Sequence, residues 1–136
     1  MPILFSDPEA IAEHIIRDVG TELVVGLPLG LGKANHIVNA LYARAVADRS
    51  VNLTLFSALT LEKPKPNSLL ERRFIGPVID RLFGGYPELA YADALHRGVL
   101  PPNVKVIEFF FLAGQWLYQP FAQQNYIRSE EHTSEL

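Results

Sequence analysis

Cysteine is absent from the 136 residues, and methionine and tryptophan occur once each. Without a thiol the chain has no disulfide framework, no thiolate nucleophile and no cysteine metal ligand, which fits a reducing, cytoplasmic setting. Long apolar runs are also missing. None approaches the roughly 20 residues of a membrane span, and no basic region precedes an apolar stretch at the N-terminus, so neither a membrane partner nor a secretory leader is expected. No charge sign dominates either: 12 basic against 15 acidic residues leave a formal charge of −3, too little of one sign to point to nucleic acid as a partner. The histidines show no metal-binding spacing such as His-Glu-x-x-His, so no metal is expected.

What remains is enough for one domain, or part of one, with a real core. Its far end stands apart. Arg128-Ser129-Glu130-Glu131-His132-Thr133-Ser134-Glu135-Leu136 is what AGA TCG GAA GAG CAC ACG TCT GAA CTC encodes, the start of a common sequencing-library adapter. Residues 128–136 are therefore read as an artefactual tail, and 1–127 as an incomplete natural domain. Without Arg128 and the three tail glutamates the formal charge moves from −3 to −1.

Hydrophobic periodicity divides the domain. Ser6-Asp7-Pro8-Glu9 reads as a helix start, with Glu9 three residues after a capping serine; Ile11, Ile15, Ile16 and Val19 share a face and Gly20 closes the helix. Glu22–Gly26 is a short strand. Ala34–Asp48 is a second helix with Ile37, Val38, Leu41, Tyr42 and Ala45 inward. Val51–Leu59 is a second strand with Leu53, Leu55 and Ser57 on one face. A strand, a crossover helix and a strand within about 35 residues form a βαβ unit with parallel strands. Lys63-Pro64-Lys65-Pro66-Asn67 is a stiff solvated loop leading to a helix capped by Ser68. That helix carries Leu69, Leu70 and Phe74, and Gly76-Pro77 is expected to separate it from a short helix with Val78, Ile79 and Leu82. Gly84-Gly85, a helix over Pro87–His96, a Pro101-Pro102 turn and a strand over Val104–Phe111 follow. The fold class is α/β, a mainly parallel sheet with flanking helices.

The segment Val24-Val25-Gly26-Leu27-Pro28-Leu29-Gly30-Leu31-Gly32-Lys33-Ala34-Asn35-His36 carries most of the functional signal. A glycine-rich turn with one lysine sits between a strand and a helix, where backbone N–H groups and a cation can meet an anion or a developing oxyanion. It is not a phosphate-binding P-loop: Leu27 stands at the first glycine position and Ala34 at the hydroxyl position. It is not a dinucleotide fingerprint, because Asn35 replaces the third glycine or alanine and the second strand ends through Phe56-Ser57 with no acid. The candidate substrate-binding residues are Gly30, Leu31, Gly32, Lys33, Asn35 and His36. A purely structural tight turn is the plainer alternative.

These residues resemble a known family. Gly26-Leu27-Pro28 with Asn35-His36-Ile37-Val38-Asn39-Ala40-Leu41-Tyr42 is similar to the Gly-x-Pro…Leu-Val-x-Ala-Leu segment near the start of the acetyl-CoA hydrolase/transferase family. Val51–Leu59, Phe83-Gly84-Gly85-Tyr86, Ala94-Leu95-His96-Arg97-Gly98 and Val106-Ile107-Glu108-Phe109-Phe110 follow in that family's order. The sequence departs from the pattern in its longer Lys33 loop and at Val99-Leu100-Pro101. The resemblance spans about Asp7 to Ile127 and implies the N-terminal half of a cytoplasmic two-domain enzyme with the CoA-transferase fold. Such enzymes attack an acyl-CoA thioester with a glutamate and pass through a glutamyl-CoA thioester. The implied partners are acyl-CoA, a carboxylate acceptor or water, and the missing second domain; homo-oligomer formation stays open. Coenzyme A enters as substrate, with no cofactor implied, and the family's nucleophile lies beyond Ile127. A stand-alone α/β module that holds a small anion without catalysis is the alternative.

Two carboxylates keep two readings each. Glu62 closes the second strand as a solvated loop acid or a cleft carboxylate. Glu108, inside an apolar run, is costly to bury alone and either pairs with a base or lines the cleft. Phe109, Phe110, Phe111, Trp116, Tyr118 and Phe121 are expected in a core or an interdomain surface.

Overall fold

The computed structural model describes residues 3–58, 60 and 63–109. In chain order these form α1 (Pro8–Val19), β1 (Glu22–Leu27), α2 (Asn35–Ala47), β2 (Asn52–Ser57), α3 (Leu69–Phe83), α4 (Ala90–His96) and β3 (Val104–Glu108). The strands make a three-stranded sheet in the order β1-β2-β3, parallel throughout, which is an α/β architecture. None of the described helices is long and apolar enough to cross a membrane.

Alternation along each strand sorts the two sheet faces. Leu23 and Leu27, Leu53 and Leu55, and Val104 and Val106 are buried beneath helices that also bury Ala12, Val38, Leu41, Ala45 and Leu95. Burying a leucine of this kind is worth about 2 kcal/mol relative to leaving it exposed. On the opposite face Val24 remains 78% exposed, and Glu22, Asn52, Phe56 and Lys105 are exposed beside it. Phe109 leaves β3 with its ring stacked on Phe56, at a centroid distance of 5.3 Å.

Several local expectations change. The cap of α1 is Asp7 rather than Ser6: its carboxylate accepts from the Glu9 and Ala10 N–H groups. Ala12, not Val19, is the buried residue of α1, and Val19 is exposed. Pro77 does not divide α3, which runs unbroken for 15 residues. The ring removes one i to i−4 bond, to the Arg73 carbonyl. Arg73 is exposed, so solvent can satisfy that carbonyl and the helix continues. The helix expected from Pro87 begins only at Ala90, because α2 side chains hold the carbonyls of Pro87 and Glu88. β2 is shorter at both ends and β1 one residue longer. Of the expected β3, Val104–Glu108 form the strand; Phe110 and Phe111 lie outside the described residues, as do Glu62, Trp116, Tyr118 and Phe121.

Candidate functional site

Parallel strands all end at one edge of the sheet, so the loops leaving that edge converge. Register makes the convergence specific: Leu27 pairs with Ser57, and Ser57 with Glu108, in one row across the three carboxyl ends. All three side chains are buried, Ser57 and Glu108 being 0% and 2% exposed. A serine and a glutamate on the core face need partners, and both have them.

Lys33 supplies the first. From the loop after β1 its side chain turns inward, is itself buried, and donates from Nζ to Ser57 Oγ at 2.8 Å. Burial lowers the Lys33 pKa, while the Glu108 charge acts in the opposite direction and helps keep the ammonium protonated. Glu108 Oε1 accepts from the Thr60 N–H at 2.6 Å, which ties the chain after β2 to the end of β3. Thr60 Oγ1 lies 3.1 Å from the hydroxyl of Tyr91, whose fully buried phenol is pushed up to about 12 by desolvation. Glu108 is thus a buried carboxylate held by a backbone N–H, with the Lys33 charge near enough to influence it.

A second set of contacts positions the start of α2. Asn35, its first residue, is buried and donates from Nδ2 to the Pro87 carbonyl at 2.6 Å. One turn later Asn39 donates to the Glu88 carbonyl and accepts from the Ala90 N–H, both at 2.8 Å. The two asparagines hold the stretch before α4 against α2. Asn35 Oδ1 is buried with no hydrogen-bond partner among the described residues. No side chain caps α2, and its first turn carries no acid. The positive end of its dipole is consequently not neutralised locally.

An open cleft of about 450 Å³ lies between this turn and the segment at Gly85–Pro87. Of the six expected site residues it brings together Leu31, Lys33, Asn35 and His36; Gly30 and Gly32 do not line it. Gly30 has φ of +87°, a conformation that favours glycine, whereas Gly32 has ordinary φ and open space where a Cβ would stand. The loop thus needs Gly30 for its turn but has no conformational need for Gly32. Ser57 was legible as an inward position. Thr60, Tyr91 and Asn39 were missed, and only Asn35 and Asn39, spaced by four on an otherwise apolar helix face, offered a signal.

Among the described residues no group of three or more His, Cys, Asp or Glu side chains is arranged to hold a metal ion. Comparison of the chain with protein-family models, curated proteins and solved structures finds no match.

Proposed function

We propose that this chain is the N-terminal part of an acyl-CoA hydrolase or CoA-transferase of cytoplasmic acyl-CoA metabolism. It would act on acetyl-CoA or another short acyl-CoA, with the nucleophilic glutamate contributed from outside this sequence. The observation that carries the reading is the Lys33–Ser57 bond at the carboxyl edge of a parallel sheet. That edge is where open α/β sheets bind ligands. The bond pins the glycine loop there, beside a cleft whose wall includes the uncapped first turn of α2.

In this reading the pinned loop and the α2 turn meet the carbonyl oxygen of the thioester. Attack by a carboxylate moves charge onto that oxygen, and preorganised N–H donors there lower the barrier by about 3 kcal/mol. Lys33 acts from the cleft wall: its ammonium adds to the positive field at the edge, while its bond to Ser57 fixes its position. A lysine engaged in this way is a poor free-standing receptor for a small anion, which disfavours the binding-module alternative.

The test is made on the enzyme extended past residue 127. Acetyl-CoA should leave a covalent CoA adduct on a glutamate, detected by mass spectrometry, and Lys33→Met should lower kcat/KM by roughly a hundredfold. The 136-residue chain alone should turn over no acetyl-CoA. Absence of adduct and turnover in the extended protein would sink the reading; turnover by the short chain would bring the nucleophile inside it and make Glu108 the next residue to replace.

A further inference from the structure

We propose that the cleft between the Lys63–Ser68 loop and the first turns of α3 binds a phosphate-bearing organic anion through Lys63, Lys65 and Arg72. The cleft has a volume of about 460 Å³ and is distinct from the one at Lys33. Two of its cations come from the loop and the third from the first turn of α3. Pro64 and Pro66 alternate with the two lysines, so the backbone that presents them is stiff and loses little entropy when a ligand is bound.

Arg17, Arg44 and Arg97 each meet a carboxylate on the surface. Like Arg49, Arg73, Arg81 and Lys105, the cations of this corner meet no carboxylate among the described residues, but here three of them line one cleft. Glu71, next to Arg72 in sequence, turns its carboxylate back onto the Asn67 N–H at 2.6 Å. Glu88 is the one acid that lines the cleft, and Asp80 lines an adjoining hollow that shares Lys63 and Arg72. Ser68 and Leu69 also line the cleft, although the Ser68 cap and Glu71 in the first turn already offset the α3 dipole there.

Like charges around one cleft repel each other, and an anion that bridges them removes that repulsion. A phosphate group suits the set better than a carboxylate, since it offers a bidentate edge to arginine and further oxygens to the lysines. The space far exceeds one phosphate, and Pro64, Pro66 and Leu69 give it apolar wall. Both features favour a phosphate carried on a larger organic group. Coenzyme A and a free nucleotide share this chemistry.

The probes are adenosine 3′,5′-bisphosphate, coenzyme A, inorganic phosphate and adenosine, titrated calorimetrically into the chain. Saturable binding of the bisphosphate and of coenzyme A is expected, weakening as salt is raised, with adenosine silent and inorganic phosphate weaker. The double variant Lys65→Gln/Arg72→Gln should bind the bisphosphate at least about tenfold more weakly. Its melting temperature should be unchanged, because both side chains are exposed. Lys105→Gln, on the uncovered sheet face, should bind normally. Equal affinity for bisphosphate and coenzyme A assigns recognition to the phosphates alone; tighter coenzyme A binding that still falls in the double variant adds contacts outside the cleft. The proposal is overturned if the bisphosphate does not bind, if only coenzyme A binds, or if the double variant binds like the parent. Loss of acyl transfer in the extended enzyme bears on neither result.

Discussion

Helices α2 and α3 are of similar length, 13 and 15 residues, yet they stand in opposite relations to the core. α2 buries Val38, Leu41 and Ala45 almost completely and is tied by Asn35 and Asn39 to the stretch before α4. α3 buries only Ile79, while Leu69, Leu70 and Phe74 are 80%, 67% and 76% exposed. Apolar residues at helical spacing therefore promise a buried face without saying what buries it. For α2 the partner is the sheet, directly downstream in a βαβ unit; for α3 the described residues supply almost none.

The comparison is tested most severely by truncating one leucine or phenylalanine on each helix. Leu41→Ala removes a side chain that is 1% exposed and should cost about 3 kcal/mol, measured by urea unfolding. Phe74→Ala should change stability by no more than about 0.5 kcal/mol in the same experiment. A large loss at Phe74 would mean that α3 is covered in solution.

A somewhat smaller effect concerns the phenol held beneath the sheet edge. Tyr91 has its pKa raised by burial from 10.0 to about 12, so the folded state keeps the proton that the unfolded state releases. Its stabilising contribution is complete below pH 10 and is lost as pH rises toward 12, on the order of 2–3 kcal/mol in all. Lys33 has the opposite sign: its lowered pKa adds stability as pH rises through its folded value toward 10.5. Loss beyond that pH therefore reports Tyr91. Tyrosinate absorbance should show one step delayed to about pH 12, and Tyr91→Phe should abolish it.

A smaller change is expected at the hinge between α2 and the sheet. Asn103 Nδ2 donates to the carbonyls of Ala45 and Val51, each at 2.7 Å, and joins the end of α2 to the starts of β2 and β3. Asn103→Ala leaves both carbonyls without that donor and should cost about 1–2 kcal/mol by thermal melts. Among the described residues α3 has no such tie to the sheet, so Asn67→Ala at its entrance should be nearly silent. A silent Asn103→Ala would weaken the claim that α2 is fastened at both ends.

Sequence pattern alone determined the α/β class, the parallel β1–β2 pair, and the inward Leu53, Leu55 and Ser57. Those features follow from local periodicity and from the rule that a strand–helix–strand crossover pairs its strands in parallel. It did not determine that Lys33 would turn inward, because its partner Ser57 lies 24 residues away and the approach depends on β1–β2 register. Nor did it give the surroundings of Glu108, which rest on Thr60, 48 residues away, and on the row of strand ends shared by β2 and β3. The break expected at Pro77 failed for a related reason: one missing hydrogen bond ends a helix only where its orphaned carbonyl has no solvent, and exposure belongs to the tertiary structure. Periodicity tells a side chain which way to face; the assembled sheet decides what it meets there.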